Sequence, residues 1–379
     1  MALRHWLQLS LTDGIGSILL GRLVTAAGSA EAACSADSGL LNSVEGIGSV
    51  KGANILRSLR QASDAAEKEM ARCRENGVNL ICQDDAEYPT LLKVIPDPPA
   101  VLYVRGTLEA RDLNGVAIVG SRRCSHYGRE QAERFGTLLA QAGVTVISGG
   151  ARGVDSAAHR GAIAAPGGRT IVVLGCGVDV AYPPENEALF KQVATRGAVI
   201  SEFALETPPM KENFPRRNRI ISGMSRGVLV VEADVASGAL ITARQAGDEH
   251  GRPVFALPGR VDNPMSAGPH ALIRDGATLI TNLEEIFEGL GPLPHHVLET
   301  ELAEPRVEAP AEPPVAANLT EQQNRILREI SRDPIALDLI IARTELPAEA
   351  ILPELTLMTL RGLVKRIGGQ NYVIGSAGA

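Results

Sequence analysis

The chain predicts a doubly wound α/β domain with a mainly parallel sheet, preceded by an all-helical segment and followed by a winged-helix unit. Three observations carry this reading. Between residues 115 and 288, short unbroken apolar runs alternate with helical stretches, as strands do when helices cover both faces of their sheet. Residues 1–75 carry helical periodicity throughout. From residue 319 the pattern is three helices and then a hairpin.

In the first segment, Leu7, Leu9 and Leu11 lead to Gly14-Ile15-Gly16, and Val44 leads to Gly46-Ile47-Gly48, each triplet between helix-like stretches. Ala53–Asn76 reads as a long amphipathic helix with Ile55, Leu56, Leu59, Ala62, Ala66, Met70 and Cys73 on one face, stopped by Gly77. Residues 78–114 form a mixed connector with a short strand at Val101–Val104 after Asp97-Pro98-Pro99. Strands are then expected at Gly115–Ser121, Val144–Ser148, Thr170–Gly175, Val199–Ser201, Val228–Val231 and Val254–Leu257. The helices expected between and after them are Arg129–Ala142, Val154–Ala164, Glu185–Ala194, Arg216–Met224, Ser237–Glu249 and His270–Asp275. Residues 289–318, rich in Pro and Glu, read as a flexible linker. Thr320-Glu321-Gln322-Gln323 is a capping-box start. Helices Ala336–Thr344 and Ala348–Arg361 follow, then a hairpin of Val364–Ile367 and Asn371–Ile374. The domains expected are therefore 1–77, 78–288 and 319–379, joined by the linker 289–318, and no internal repeat of about 20–50 residues is expected.

Composition narrows the function. The chain has 379 residues, 45% hydrophobic and 21% charged, with no apolar run long enough to span a membrane and no signal-peptide pattern. The five cysteines (Cys34, Cys73, Cys82, Cys124, Cys176) are odd in number and form no C-x-x-C pair. That excludes a disulfide framework or zinc ribbon and suits a reducing, cytoplasmic setting. The net charge of −7 argues superficially against nucleic acid, but Val116–Arg226 holds fourteen Lys/Arg against nine Asp/Glu. The middle of an acidic protein is basic.

Four turns at strand ends carry the chemistry. Gly120-Ser121-Arg122 allows close backbone approach and offers a forked guanidinium donor, or is simply a tight turn with surface arginines. Ser148-Gly149-Gly150-Ala151-Arg152-Gly153-Val154-Asp155 joins glycines to a helix start, an anion cradle of free N–H groups. In Phe214-Pro215-Arg216-Arg217-Asn218-Arg219, Pro215 suits the first helical position. Three arginines there oppose the helix dipole, which makes sense if an anion docks or if some pair with Glu202 or Glu212. Phe214 suits a base-stacking platform or the core. Ser237-Gly238 opens another helix, where Ser237 caps it or binds phosphate. Four such turns on one sheet edge imply one ligand with several phosphates.

These motifs, with Gly175-Cys176-Gly177-Val178-Asp179-Val180-Ala181-Tyr182-Pro183, resemble the DNA-processing protein A (DprA/Smf) family over the whole α/β region. The resemblance implies an extended Rossmann-like domain, a sterile-alpha-motif-like or helix-hairpin-helix-like N-terminal domain and a C-terminal winged helix. It also implies a bacterial cytoplasmic protein of natural transformation that binds and protects incoming single-stranded DNA, loads the recombinase RecA onto it, and dimerises through the α/β domain. The DNA pocket it implies comprises Gly120, Ser121, Arg122, Ser148, Gly149, Gly150, Lys211, Phe214, Arg217 and Asn218. The turns add Arg219, Ser237 and Gly238. No catalytic residue, cofactor or metal is expected. The chain departs from the family where many relatives have Lys after Tyr-Pro: here Pro184-Glu185 stands, and Lys191 is a possible substitute.

Two other readings are weighed. A nucleotide phosphoribohydrolase needs Pro-Gly-Gly-x-Gly-Thr, but Pro166-Gly167-Gly168 is followed by Arg169 and Thr170. His126, His159 and His250 are scattered, and His159 is expected to hydrogen-bond Asp155 rather than form a catalytic dyad. A duplex-DNA regulator would read the groove with the third winged helix. That helix carries Glu349 and Glu354 and only Arg361 at its end, and the unit holds seven basic and seven acidic residues. The winged unit is expected to contact protein, or DNA only through Lys365 and Arg366.

Overall fold

The computed structural model describes residues 2–292, 319–331, 334–344, 346–367 and 370–375. The chain divides into two compact units, Met1–Thr300 and Glu301–Ala379.

The first unit is built on nine strands: β1 (Asn79–Cys82), β2 (Val101–Gly106), β3 (Val116–Val119), β4 (Val146–Ser148), β5 (Thr170–Val173), β6 (Ala198–Ser201), β7 (Gly227–Val230), β8 (Val254–Ala256) and β9 (Thr278–Leu279). Their order is β1-β2-β6-β5-β4-β3-β7-β8-β9. From β6 to β9 every pair is parallel. β2 joins β6 antiparallel, and β1 joins β2 antiparallel. The chain steps one way from β3 through β4 and β5 to β6, then returns to the other side of β3 for β7, β8 and β9. The order therefore reverses between β3 and β7. Ligands of open α/β sheets bind at such a switch point, outside the carboxyl ends of the strands.

The pleat divides β3 between two cores. Val116 and Ile118 pack with Phe135 and Leu139 of helix His126–Gln141 and with Ala157 and Ala158 of helix Val154–Ala164. Ala117 and Val119 pack on the other face with Ile220 and Ile221 of helix Asn213–Gly223 and Leu240 of helix Gly238–Arg244. Both faces are covered, so the strands carry no polar alternation, as the apolar runs predict. Helix Val154–Ala164 has the predicted bounds.

The structure adds elements that the sequence pattern does not announce. Among these are β1, β9 and helix Leu283–Leu290, although Asn282 and Glu285 form a capping box for that helix. β9 is two exposed residues long, too short for a periodicity signal. The expected helix Ser237–Glu249 is an α-helix only over Gly238–Arg244 and continues as one π turn, Gln245–Glu249. The stretch expected to be a linker from residue 289 begins inside helix Leu283–Leu290 and, from residue 293, lies outside the described residues.

The N-terminal helices are Ala2–Ser10, Ser17–Ala27, Ala30–Cys34, Ser38–Ser43 and Ser49–Glu75. Their apolar cluster is continuous with the sheet, since Leu7, Leu41 and Ile55 share it with Val101 and Tyr103 of β2. The turn Asp13-Gly14-Ile15-Gly16-Ser17 recurs as Glu45-Gly46-Ile47-Gly48-Ser49. The copies agree in backbone: Gly14 and Gly46 have φ of +83° and +93°, while Gly16 and Gly48 are extended caps of the following helices. Ile15 and Ile47 are buried.

In the second unit Thr320 and Gln323 form the predicted capping box. Helices Glu321–Glu329, Leu337–Thr344 and Ala348–Leu360 surround Ile326, Ile340, Ile351, Leu355 and Met358. The hairpin of β11 (Val364–Ile367) and β12 (Asn371–Ile374) is joined by β10 (Ile335–Ala336) in the order β10-β12-β11. This is the winged-helix arrangement the sequence predicts.

Candidate nucleic-acid interface

A cavity of about 280 Å³ opens at the switch point. Its walls come from the turn after β3 (Gly120, Ser121, Arg122), the segment after β7 (Asp234, Ser237, Gly238) and the start of helix Asn213–Gly223 (Phe214, Arg217, Asn218). Three of the four anion-friendly turns thus line one space. The Ser148–Asp155 turn contributes Ala151 and Asp155.

The β3 turn is held from beneath by Glu232, a role with no local signal in the sequence. The Glu232 carboxylate is 2% exposed. It accepts from Ser125 N–H and Ser125 Oγ at 2.7 Å each and from Asn263 Nδ2 at 3.0 Å. Its backbone carbonyl accepts the Ser121 N–H at 2.6 Å. A Cβ at Gly120 would stand 2.7 Å from that carbonyl, and one at Gly128 2.2 Å from the carboxylate, so both positions require glycine. The Ser121 hydroxyl accepts the Arg123 N–H. Arg122 is left exposed at the cavity rim. Its guanidinium stands over the Phe214 ring, 5.2 Å from the centroid. Tyr182, not among the expected site residues, lies beyond, its ring centroid 5.5 Å from that of Phe214. Arg123, also outside the expected set, lines the cavity as well.

Behind this rim lies a buried polar layer. Arg217 is 5% exposed and donates through Nη1 to the carbonyls of Gly149, at 2.7 Å, and Val173. Burial pushes its pKa down to about 10, with the Asp155 carboxylate opposing that fall. Burial in turn raises the pKa of Asp155, and Arg217 opposes the rise. A Cβ on Gly149 would meet Arg217 Nη2 at 2.7 Å and Asp155 Oδ2 at 2.8 Å. A Cβ on Gly150 would meet Phe190 and Val172. These glycines are therefore demanded by packing. Ser148 is fully buried, and its hydroxyl donates to the Ile118 carbonyl at 2.6 Å. Its side chain is thus turned into the sheet rather than toward the cavity, which runs against its expected DNA contact.

Arg219 departs from expectation in the same way. At 3% exposure it donates to Asp97 Oδ2 and Glu202 Oε2, each at 2.7 Å. The arginines' conflict with the helix dipole is thus settled in part by carboxylates, one of them the suspected Glu202. Arg216 stays exposed, over the Phe203 ring. The helix begins at Asn213, so Pro215 is its third residue rather than its first, still in the turn whose N–H groups lack helical partners. Asn218 donates to the Gly238 carbonyl at 3.3 Å and fixes two walls to each other. Ser237 caps helix Gly238–Arg244 by accepting the Ala239 N–H, and stays half-buried at the wall. Lys211 is exposed but does not line the cavity. Lys191 pairs with Glu187 at 2.7 Å on its own helix. Glu185, standing near the family's usual Lys, pairs with Arg152.

His159 does not meet Asp155. It is fully buried, with Nδ1 2.7 Å from Thr170 Oγ1. Because that hydroxyl donates to the Val146 carbonyl, Nδ1–H is the donor to it. Burial lowers the His159 pKa to about 3 and keeps the ring neutral.

Comparison with known proteins agrees with this architecture. The family profile for DNA recombination-mediator protein A matches residues 79–291, and that for the DprA winged helix domain matches residues 309–370. Protein Smf of Synechocystis sp. is 34% identical over 97% of this chain and 98% of its own. Protein Smf of Escherichia coli is 40% identical over 77% of this chain and 76% of its own. The X-ray structure of DNA processing protein A from Streptococcus pneumoniae superposes with a TM-score of 0.68 at 30% identity, covering 77% of this chain and 99% of that one. The chain belongs to the DNA recombination-mediator protein A family of DNA-processing proteins.

Proposed function

We propose that this chain binds single-stranded DNA in the switch-point cavity and acts by binding rather than by chemistry. The observation that carries the reading is the rim itself, where an exposed guanidinium and a half-buried aromatic face share one open space at the strand ends. Arg122 neutralises a phosphate, and a base displaces its guanidinium from, or stacks beside it on, the Phe214 ring. Neither contact encodes sequence, so binding is broadly sequence-independent and falls steeply with salt. Arg217, Asn218, Gly120, Gly149 and Gly150 shape the walls. Gly238 presents its backbone N–H at a helix start beside the Ser237 side chain. Dimerisation through the α/β unit would put two such cavities on one strand and raise avidity. By family resemblance, the bound strand is protected and handed to RecA.

The test is fluorescence anisotropy of labelled oligo-dT with the wild type and Arg122→Ala, across a salt series with duplex competitor. Tight binding, a steep salt slope, preference for single strands and weakening by Arg122→Ala support the reading. A wild type that ignores single strands while binding or hydrolysing a free nucleotide overturns it. For the hand-over, RecA ATP hydrolysis on single strands should start sooner in the presence of this chain; an unchanged lag counts against it.

A further inference from the structure

The third helix of the winged unit, Ala348–Leu360, uses Ile351, Leu355 and Met358 to close its own core. Its opposite face is also apolar. Leu352, Leu357 and Leu360 are 45%, 40% and 81% exposed, and Pro353 stands exposed among them. Pro353, Leu357 and Leu360, spaced by four and then three residues, share one side of the helix, with Leu352 at its edge. Leu339 of the neighbouring helix is exposed as well.

Between its ends this face offers no free side-chain donor to a DNA groove. Thr356 Oγ1 donates to the Leu352 carbonyl at 2.8 Å, and Thr359 Oγ1 to the Leu355 carbonyl at 2.6 Å, so both hydroxyls are turned onto their own backbone. A groove-reading helix needs donors aimed outward. Exposed leucines scattered singly need no explanation, but a contiguous stripe marks an interaction surface.

The ends of the stripe identify the occupant. Glu349 lies in the first turn and Arg361 caps the last. Both are exposed, and neither forms an ion pair among the described residues. The face is therefore acidic at one end, basic at the other and apolar between. Twelve residues of helix rise separate the charges, about 18 Å. A second copy laid antiparallel meets both charges at once, Glu349 of each opposite Arg361 of the other, with Pro353 against Leu357 between. A parallel copy would set Glu against Glu and Arg against Arg. Antiparallel pairing is also the two-fold, self-complementary arrangement that closes on itself.

We propose that this helix is a contact between two copies of the chain, packed antiparallel through Pro353, Leu357 and Leu360. One thirteen-residue helix buries well under the roughly 1,000 Å² of a stable free-standing interface. The contact therefore works between copies already held close, as on one DNA strand, and adds avidity there. That setting rests on the strand-binding reading; the contact itself is tested without DNA.

Thr356 sits near the two-fold axis of such a pair. In the full chain, Thr356→Cys with a short bismaleimide should give a covalent dimer beyond that of the parent with its native cysteines. Leu360→Asp added to it should cut the yield at least fivefold. Because Leu360 is largely exposed, that substitution should leave the far-UV circular dichroism and the melting temperature unchanged. Glu349→Arg or Arg361→Glu alone should reduce cross-linking, and the two together should restore it. A yield equal to the parent's, a yield indifferent to Leu360→Asp, or no recovery in the charge-exchanged double variant overturns the proposal. Each outcome is independent of oligo-dT affinity.

Discussion

Arg122 and Arg219 are the same residue type, both close to strand ends of one sheet, and in sequence both look like DNA contacts. The structure puts them in opposite situations. Arg122 is exposed at the rim, its guanidinium over the Phe214 ring. Arg219 is buried between Asp97 and Glu202, already spent on protein carboxylates. Arg217 is intermediate in position only: it touches the cavity wall, yet its donors go to the carbonyls of Gly149 and Val173. The family's basic stretch is thus two machines, a rim that is free to meet a ligand and a layer behind it that holds the rim in place.

The largest effect expected from this difference is at Arg219. Arg219→Ala leaves the partly buried Asp97 without its cation and the nearly buried Glu202 with only the longer, 3.7 Å contact to exposed Arg216. Removing one partner of a buried ionic group costs about 3–5 kcal/mol. Urea denaturation should show a loss of that size, and whatever folded protein remains at low temperature should bind oligo-dT nearly as tightly as the wild type. Normal stability with weakened binding would mean that Arg219 reaches the ligand after all, and the two-layer division would break.

Arg122→Ala should do the reverse. The melting temperature should stay within a degree or two, while oligo-dT binding weakens by about 1.5–3 kcal/mol, the worth of a charge-assisted hydrogen bond. The salt slope should become shallower by about one unit, because one phosphate fewer is neutralised. Arg122→Lys separates charge from fork geometry: it should keep the salt slope and recover only part of the affinity.

Phe214→Ala should cost about 1–3 kcal/mol of single-strand affinity, because base stacking on an aromatic face is worth that much. Unlike Arg122→Ala it should leave the salt slope unchanged, since every phosphate keeps its cation. Phe214→Tyr should bind nearly as the wild type does. An unchanged affinity for Phe214→Ala would reassign the ring to wall packing beside Tyr182 and leave the rim purely electrostatic.

Why the rim and the layer behind it look alike in sequence is physical. A charged residue's type states what it can bond, not what it does bond, and its partner is commonly remote. Asp97 lies 122 positions from Arg219, in a segment whose sequence reads as a connector. Ser148 ends an apolar run and precedes glycines, which fits an anion loop. Only the β3 carbonyl that takes its hydroxyl shows it to be a ladder residue. Glu232 follows an apolar run as any strand end does, but its hold on Ser125 depends on a pairing across 107 positions. What is legible in the sequence is local. Apolar runs locate the strands from β3 to β8, the Thr320–Gln323 box locates a helix start, and the strand-end glycine turns locate the cavity. The short β9 carries too little pattern to read. The repeated Gly-Ile-Gly turns are visible as motifs, and their flanking Asp13/Glu45 and Ser17/Ser49 identify them as one repeat.

The smallest effect expected tests the buried layer through pH. His159 is fully buried and neutral, its pKa lowered to about 3 by burial, with Arg217 pushing in the same direction. In the unfolded chain an ordinary histidine takes up a proton near pH 6.5. Between these values the unfolded state holds a proton that the folded state refuses, so stability must fall as pH drops from about 6.5 toward 3, by up to about 1.4 kcal/mol per pH unit from this group. Above pH 6.5 both states are neutral and the group contributes no slope. His159→Gln keeps a side-chain amide able to donate to Thr170 and removes the titration. The test is urea-derived stability of the wild type and His159→Gln at several values between pH 7.5 and 5. The wild type should lose stability with acid more steeply than the variant, with the difference opening only below about 6.5. Parallel curves would mean that the folded protein admits the proton. The layer behind the rim would then be wet enough to charge, and the contrast between Arg122 and Arg217 would be one of degree.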